Sequence, residues 1–268
     1  MPQQNNFPLF QVDAFTTEKA FSGNPAAVCL VETPQDAHWM QAVAAEMNVS
    51  ETAFVRPVED GFELRWFTPT VEVDLCGHAT LATAHVLWAQ GKVEAGATIA
   101  FQTLSGCLQA NHTAGWITLD FPAEPVTRVE APEGLLSALS IGQATVYRNR
   151  LDYLVAVATA AEVQDLAPDF SRLKMIDMRG VIVTAPAEDV GVDFVSRFFA
   201  PSAGIDEDPV TGSAHCALYP FWRDRLNKVE MMARQVSKRG GLITLREQNG
   251  RVRLSGQAVT VLSGVLHV

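Results

Sequence analysis

Four stretches of the chain carry side chains able to move a proton or grip an anion. They are FSGNPAAV with Asn24, SETAF with Glu51, CGHAT with Cys76, Gly77 and His78, and DPVTGSAH with Asp208, Thr211, Gly212 and Ser213. A carboxylate and an imidazole are common partners in general acid/base chemistry. A thiol at a helix start is a candidate nucleophile, because the helix dipole favours its thiolate. Each residue also has a plainer reading. Glu51, at the head of an apolar β-prone run, could be a solvated or capping carboxylate, and Asp208 could be an N-cap. His78 could be a satisfied core histidine, Cys76 a small packing residue, and Asn24 the residue that orders a Gly-Asn-Pro turn. Ser213 has no base close in sequence and serves only as a hydrogen-bond donor. His85, His112 and His215 read as structural.

Two helices must position these groups. In IDEDPVTGSAHCALYPFW (Ile205 to Trp222) three acids and a proline give way to a run with almost no polar face. That pattern predicts a buried central helix whose bare first turn, at Gly212, Ser213 and Ala214, leaves backbone N–H groups open to an anion. Asp208-Pro209 reads as its start, and Pro220 as a kink or a mark of its last turns. CGHAT followed by LATAHVLW has the same construction. An offset of 135 residues sets Cys76 on Thr211, Gly77 on Gly212, His78 on Ser213 and Thr80 on His215. It also carries Gly106–Phe121 onto Gly241–Gly256, while RWFTP at Arg65 meets RFFAP at Arg197 with an offset of 132. Three matched blocks in one order indicate an internal duplication.

The remaining elements follow from periodicity and turn residues. Strands are expected over Phe10–Thr16 and Ala26–Val31, with Gly23-Asn24-Pro25 as the turn between them. Gln35–Met47 reads as an amphipathic helix, and Phe62–Phe67 as a strand leading towards the first central helix. Pro122–Pro125 contains the connection between halves. Val163–Leu173 reads as helical, Val181–Thr184 and Val192–Phe199 as strands, and Val259–Val268 as a final strand. Two α+β units are expected, residues 1–123 and 124–257, with residues from about 258 to 268 packing on the first.

Composition narrows the function classes. The 268 residues are 48% hydrophobic and 19% charged, enough apolar material for two ordinary cores. A net charge of −10 argues against nucleic acid as the main partner. No run is apolar enough to cross a membrane, and MPQQNNFPLF lacks the build of a secretory signal, so a cytoplasmic location is expected. The four cysteines, Cys29, Cys76, Cys107 and Cys216, form no CxxC pair, and no cluster has zinc-like spacing, so no metal is expected. The G-x-S-x-G signature of serine hydrolases is absent around Ser213.

Taken in order along nearly the whole chain, FSGNPAAV, SETAF, FTP, CGHAT and DPVTGSAH resemble the phenazine-biosynthesis isomerase (PhzF-like) family, within the diaminopimelate-epimerase-like fold. The resemblance implies two similar domains, each a β-barrel around a central helix, with the active site in the cleft between them. It implies a homodimer, no metal and no organic cofactor. It sets Glu51 on the family's catalytic acid/base, and His78, Asp208 and Ser213 on positions that contact substrate. The turns Cys76-Gly77-His78 and Thr211-Gly212-Ser213 fall on the helix starts facing the substrate. The implied reaction moves a proton within a small cyclic carboxylate. Racemases of this fold use one thiol from each central helix; here the second thiol is replaced by Thr211, whose hydroxyl is too weak an acid for that work unaided. A Cys76-dependent epimerase, racemase or dehydratase acting on an amino or imino acid stays open, as does a ligand- or partner-binding protein without catalysis.

Overall fold

The computed structural model describes residues 6–17, 19 and 21–268; the first five residues of the segment read for a secretory signal lie outside them. The chain divides into two units, Met1–Asp120 with Ser255–Val268, and Phe121–Leu254. The first unit contains β1 (Asn6–Ala14), β2 (Asn24–Leu30), α1 (Ala37–Met47), β3 (Glu51–Val58), β4 (Gly61–Phe67) and the short β5 (Glu72–Val73). Then come α2 (Gly77–Ala89), β6 (Ile99–Thr103), β7 (Gly106–Thr113) and β8 (Trp116–Pro122). The second unit contains β9 (Thr127–Val129), α3 (Leu135–Ala138), β10 (Thr145–Arg148), β11 (Asp152–Ala156), α4 (Ala160–Gln164) and α5 (Phe170–Leu173). It continues through β12 (Gly180–Pro186), β13 (Phe194–Ala200), β14 (Ile205–Asp208), α6 (Gly212–Leu226), β15 (Glu230–Gln235), β16 (Gly241–Gln248) and β17 (Arg251–Gly256). A last strand, β18 (Ala258–His267), returns to the first unit and pairs antiparallel with β1.

The mixed α+β units repeat one strand order. In the first, β18, β1 and β2 are antiparallel neighbours, β2 runs parallel to β3, β3 antiparallel to β4, and β4 parallel to β6. In the second, β9, β10 and β11 are antiparallel, β11 is parallel to β12, β12 antiparallel to β13, and β13 parallel to β15. β18 therefore occupies in the first unit the place that β9 holds in the second. The repeat extends to side chains. Arg65 clasps Glu72 through two hydrogen bonds of 2.7 and 2.8 Å, and Arg197 clasps Glu207 at 2.6 and 2.9 Å.

Both central helices are apolar because nearly every face is covered. Nine of the 13 residues of α2 are buried, from His78 round to Leu87, and α6 is buried from Ala214 to Tyr219 without a break. Buried hydroxyls are satisfied within the helix: Thr80 and Thr83 donate to the carbonyls of Cys76 and Ala79 at 2.6 and 2.7 Å. Thr80's counterpart, His215, lies 2.8 Å through Nδ1 from the Thr211 carbonyl and is fully buried, which pushes its pKa down to about 4. Pro220 lies inside α6, which continues to Leu226. A proline has no N–H for the Cys216 carbonyl four residues earlier, and the Glu124 N–H takes that acceptor at 3.0 Å.

Several sequence expectations need correction. Asn24 and Pro25 already belong to β2, paired with Ala14 and Asp13, so the reversal precedes them. Gly23 (φ +79°) makes the bend because a side chain there would meet the Ala14 carbonyl at 2.4 Å. Asp208 is not the N-cap of α6. It closes β14, Thr211 is the N-cap, and Pro209 lies in the intervening bend. The helical stretch expected over Val163–Leu173 is two short helices, α4 and α5, since Pro168 cannot continue the first. No helix among the described residues is long and apolar enough to cross a membrane.

Candidate functional site

Parallel pairing of β2 and β3 assembles the first group of predicted residues. Asn24 begins β2 and Glu51 begins β3, with Ala26 opposite Glu51, so both strand starts lie at one end of the sheet. The start of α2 supplies Cys76, Gly77 and His78 to the same place. His78 Nε2 lies 3.1 Å from Glu51 Oε2. On the other side of the ring, Nδ1 lies 3.5 Å from Cys76 Sγ and 3.2 Å from the Asn24 amide nitrogen. Ser50 donates to the Asn24 amide oxygen at 3.0 Å, a role its place in SETAF did not disclose.

This cluster is largely withdrawn from water. His78 and Cys76 are buried, and the Glu51 side chain is 13% exposed. Although Nε2 and Oε2 are close, neither makes a hydrogen bond of good angle. Buried polar atoms in that condition are uncommon and usually mark a place where another group arrives. The first turn of α2 is also open, for Cys76 makes no side-chain cap.

The electrostatics separate the three groups. Burial, then the neighbouring Glu51 carboxylate, pushes the Cys76 thiol up, with His78 opposing. For His78, burial works against the charged ring, yet the acids Cys76 and Glu51 more than reverse it and hold it well above 6.5. Donor atoms of Glu51, Cys76 and His78 all lie within 4.8 Å of one another. The imidazole faces the thiol with Nδ1 and the carboxylate with Nε2, so the three groups form a compact triangle at the start of α2.

The second unit gathers Asp208, Thr211, Gly212 and Ser213 at the start of α6. The Thr211 hydroxyl donates to Asp208 Oδ2 at 2.5 Å, and Ser213 is half-buried at the second position of the helix. Sequence reading missed the residue that holds this turn. Gln235, fully buried at the end of β15, accepts from the Thr211 N–H at 2.9 Å and donates to the Asp208 carbonyl at 2.7 Å. A lone glutamine 24 residues from Thr211 gave no signal of its own.

The two units differ where it matters for proton transfer. Gly180 begins β12 as Glu51 begins β3, and the Phe198 ring fills its side-chain space, 2.4 Å from where a Cβ would be. Thr211 and Ser213 replace Cys76 and His78. The acid, the imidazole and the thiol are thus confined to the first unit.

Known proteins resemble this chain in sequence and fold. The family model described as phenazine biosynthesis-like protein matches residues 12–264. An uncharacterized isomerase of Halalkalibacterium halodurans is 52% identical over 97% of this chain and 98% of its own. The crystal structure of a PhzF-family phenazine biosynthesis protein from Enterococcus faecalis superposes with a TM-score of 0.94 at 42% identity, covering 98% of this chain and all of that one. A hydroxyproline epimerase from Agrobacterium vitis shares the fold alone, with a TM-score of 0.66 at 12% identity over 100% of this chain and 94% of its own. By its sequence from end to end, and by a fold built twice around a buried helix, the chain belongs to the phenazine biosynthesis-like (PhzF) family.

Proposed function

We propose that this protein is an isomerase that moves a proton within a small cyclic carboxylate, with Glu51 as its acid/base. The observation that carries the reading is the buried Glu51–His78 pair beside the uncapped start of α2. The substrate carboxylate accepts from backbone N–H groups of that first turn, around Gly77. Glu51 removes a proton from an acidified carbon, and the electron pair spreads through the conjugated system that bears the carboxylate. The protonated Glu51 then returns the proton to another carbon of that system, so atoms and charge balance and side chains alone perform the step. His78, whose pKa is raised by its neighbours Cys76 and Glu51, offsets negative charge developing on the substrate. Asp208 and Ser213, at the other uncapped helix start, are assigned hydrogen-bonding roles towards ligand. The name isomerase borne by close relatives supports the reaction class.

Proton exchange tests this directly. Cyclic carboxylates with an acidic ring C–H are incubated with the protein in D2O, and deuterium incorporation is followed by NMR. Glu51→Gln is expected to fold normally and lose exchange by roughly 10²–10⁴-fold, the usual weight of a general acid/base. Cys76→Ala should keep most of it, since the proton transfer is assigned to Glu51 and not to the thiol. An active Glu51→Gln with a dead Cys76→Ala would overturn the reading in favour of thiol-dependent epimerase or racemase chemistry. Binding without any exchange would point to a ligand-binding protein.

A further inference from the structure

Building on the ligand role proposed for Asp208, we propose that Gln235 is a positioning residue that commits the Thr211 hydroxyl to Asp208. The start of α6 then presents ligand with a fixed carboxylate in place of an acid/base group. Gln235 closes β15 and is fully buried. Its Oε1 accepts from the Thr211 N–H at 2.9 Å, and its Nε2 donates to the Asp208 carbonyl at 2.7 Å and to Thr211 Oγ1 at 3.2 Å. The amide can take only this orientation. Exchanging its nitrogen and oxygen would set donor against donor at the Thr211 N–H and acceptor against acceptor at the Asp208 carbonyl. Both Nε2 hydrogens are thereby used, and Thr211 Oγ1 receives one of them. A hydroxyl has a single proton to donate, and that of Thr211 goes to Asp208 Oδ2 at 2.5 Å. None is left for a ligand.

The first unit has a different residue at every corner of this triangle. Phe198 faces Asp208 across β13 and β14 as Trp66 faces Val73 across β4 and β5, so Val73 is the counterpart of Asp208. Gln235 pairs with Gly241 as Thr103 pairs with Gly106, so Thr103 is the counterpart of Gln235. Thr103 serves its own hairpin, donating to the Gly106 carbonyl at 2.7 Å. Cys76, in the place of Thr211, makes its contact with His78 instead. Each corner of the second triangle needs the other two: the carboxylate needs a donor, the donor needs its direction fixed, and a buried amide needs polar partners. One unit holds a thiol beside an imidazole. The other holds a carboxylate locked by an amide through a hydroxyl.

The Asp208 carboxyl of full-length protein made with isotope-labelled aspartate can be titrated by NMR, its signal assigned with Asp208→Asn. Thr211→Val keeps both backbone contacts of Gln235 but loses the donor, so Asp208 should titrate at higher pH than in wild type. Thr211→Ser, which keeps the hydroxyl, should leave it in place. Gln235→Met should shift it as Thr211→Val does, and the double variant no further, because Gln235 acts through Thr211. Should Gln235→Met misfold, the side-chain N–H signals of Gln235 give the reading in Thr211→Val, where the one facing Oγ1 should move upfield. In the exchange assay Thr211→Val should raise KM roughly tenfold with kcat little changed, since Glu51 is untouched. An unmoved Asp208 titration, an additive double variant, unmoved Gln235 signals or an unchanged KM would each overturn the proposal. A wild type without exchange would overturn the isomerase reading alone, since the titration needs no turnover.

Discussion

A carboxylate 3.1 Å from a buried imidazole favours the charged form of the ring. His78 titrates well above 6.5 in the folded protein and near 6.5 when unfolded. A raised folded value means that its contribution to stability is full below about pH 6.5 and is lost as pH rises through the raised value. Removing the charge opposite should bring it down: an NMR titration of His78 is expected at lower pH in Glu51→Gln than in wild type, and the alkaline loss of stability should flatten. An unmoved titration would show that Glu51 is not what holds the proton. Glu51 and His78 were legible as candidates because their residue types admit few roles in apolar surroundings. Their mutual distance was not, since 27 residues separate them and only parallel pairing of β2 and β3 with the start of α2 closes the gap.

The strands and helices supply that placement through backbone geometry. Gly23 turns the chain so that Asn24 opens β2, and its left-handed φ of +79° and contact with the Ala14 carbonyl leave no room for a side chain. Gly23→Ala is expected to cost about 1–3 kcal/mol in a chemical denaturation experiment. It should also lower activity by shifting Asn24, which sits 3.2 Å from the His78 ring. A neutral substitution would mean that the bend has slack. At this scale the periodicity of α1 and the nearly unbroken apolar runs of α2 and α6 announced each helix, and the repeat offset of 135 placed β7 and β8 upon β16 and β17. What stayed hidden was the break at Thr211, where a strand-ending Asp208 looked like a cap, and the part played by Gln235. Both depend on contacts between distant elements, and local propensity carries no record of these.

Across the whole molecule, duplication supplied a scaffold twice and chemistry once. The Arg65–Glu72 and Arg197–Glu207 clasps preserve the same corner in both units, whereas Gly180 and the Phe198 ring fill the place where the first unit holds Glu51. The most consequential inequality is the route of the chain, because β18 is encoded after the entire second unit yet completes the first. During synthesis, residues 121–254 can close as soon as they clear the ribosome, while the portion made earliest must wait with its β1 edge uncovered until Ala258–His267 emerges. A released chain truncated after residue 257 should therefore resist protease in the later-made half and be cut in the earlier one, reversing the usual vectorial order.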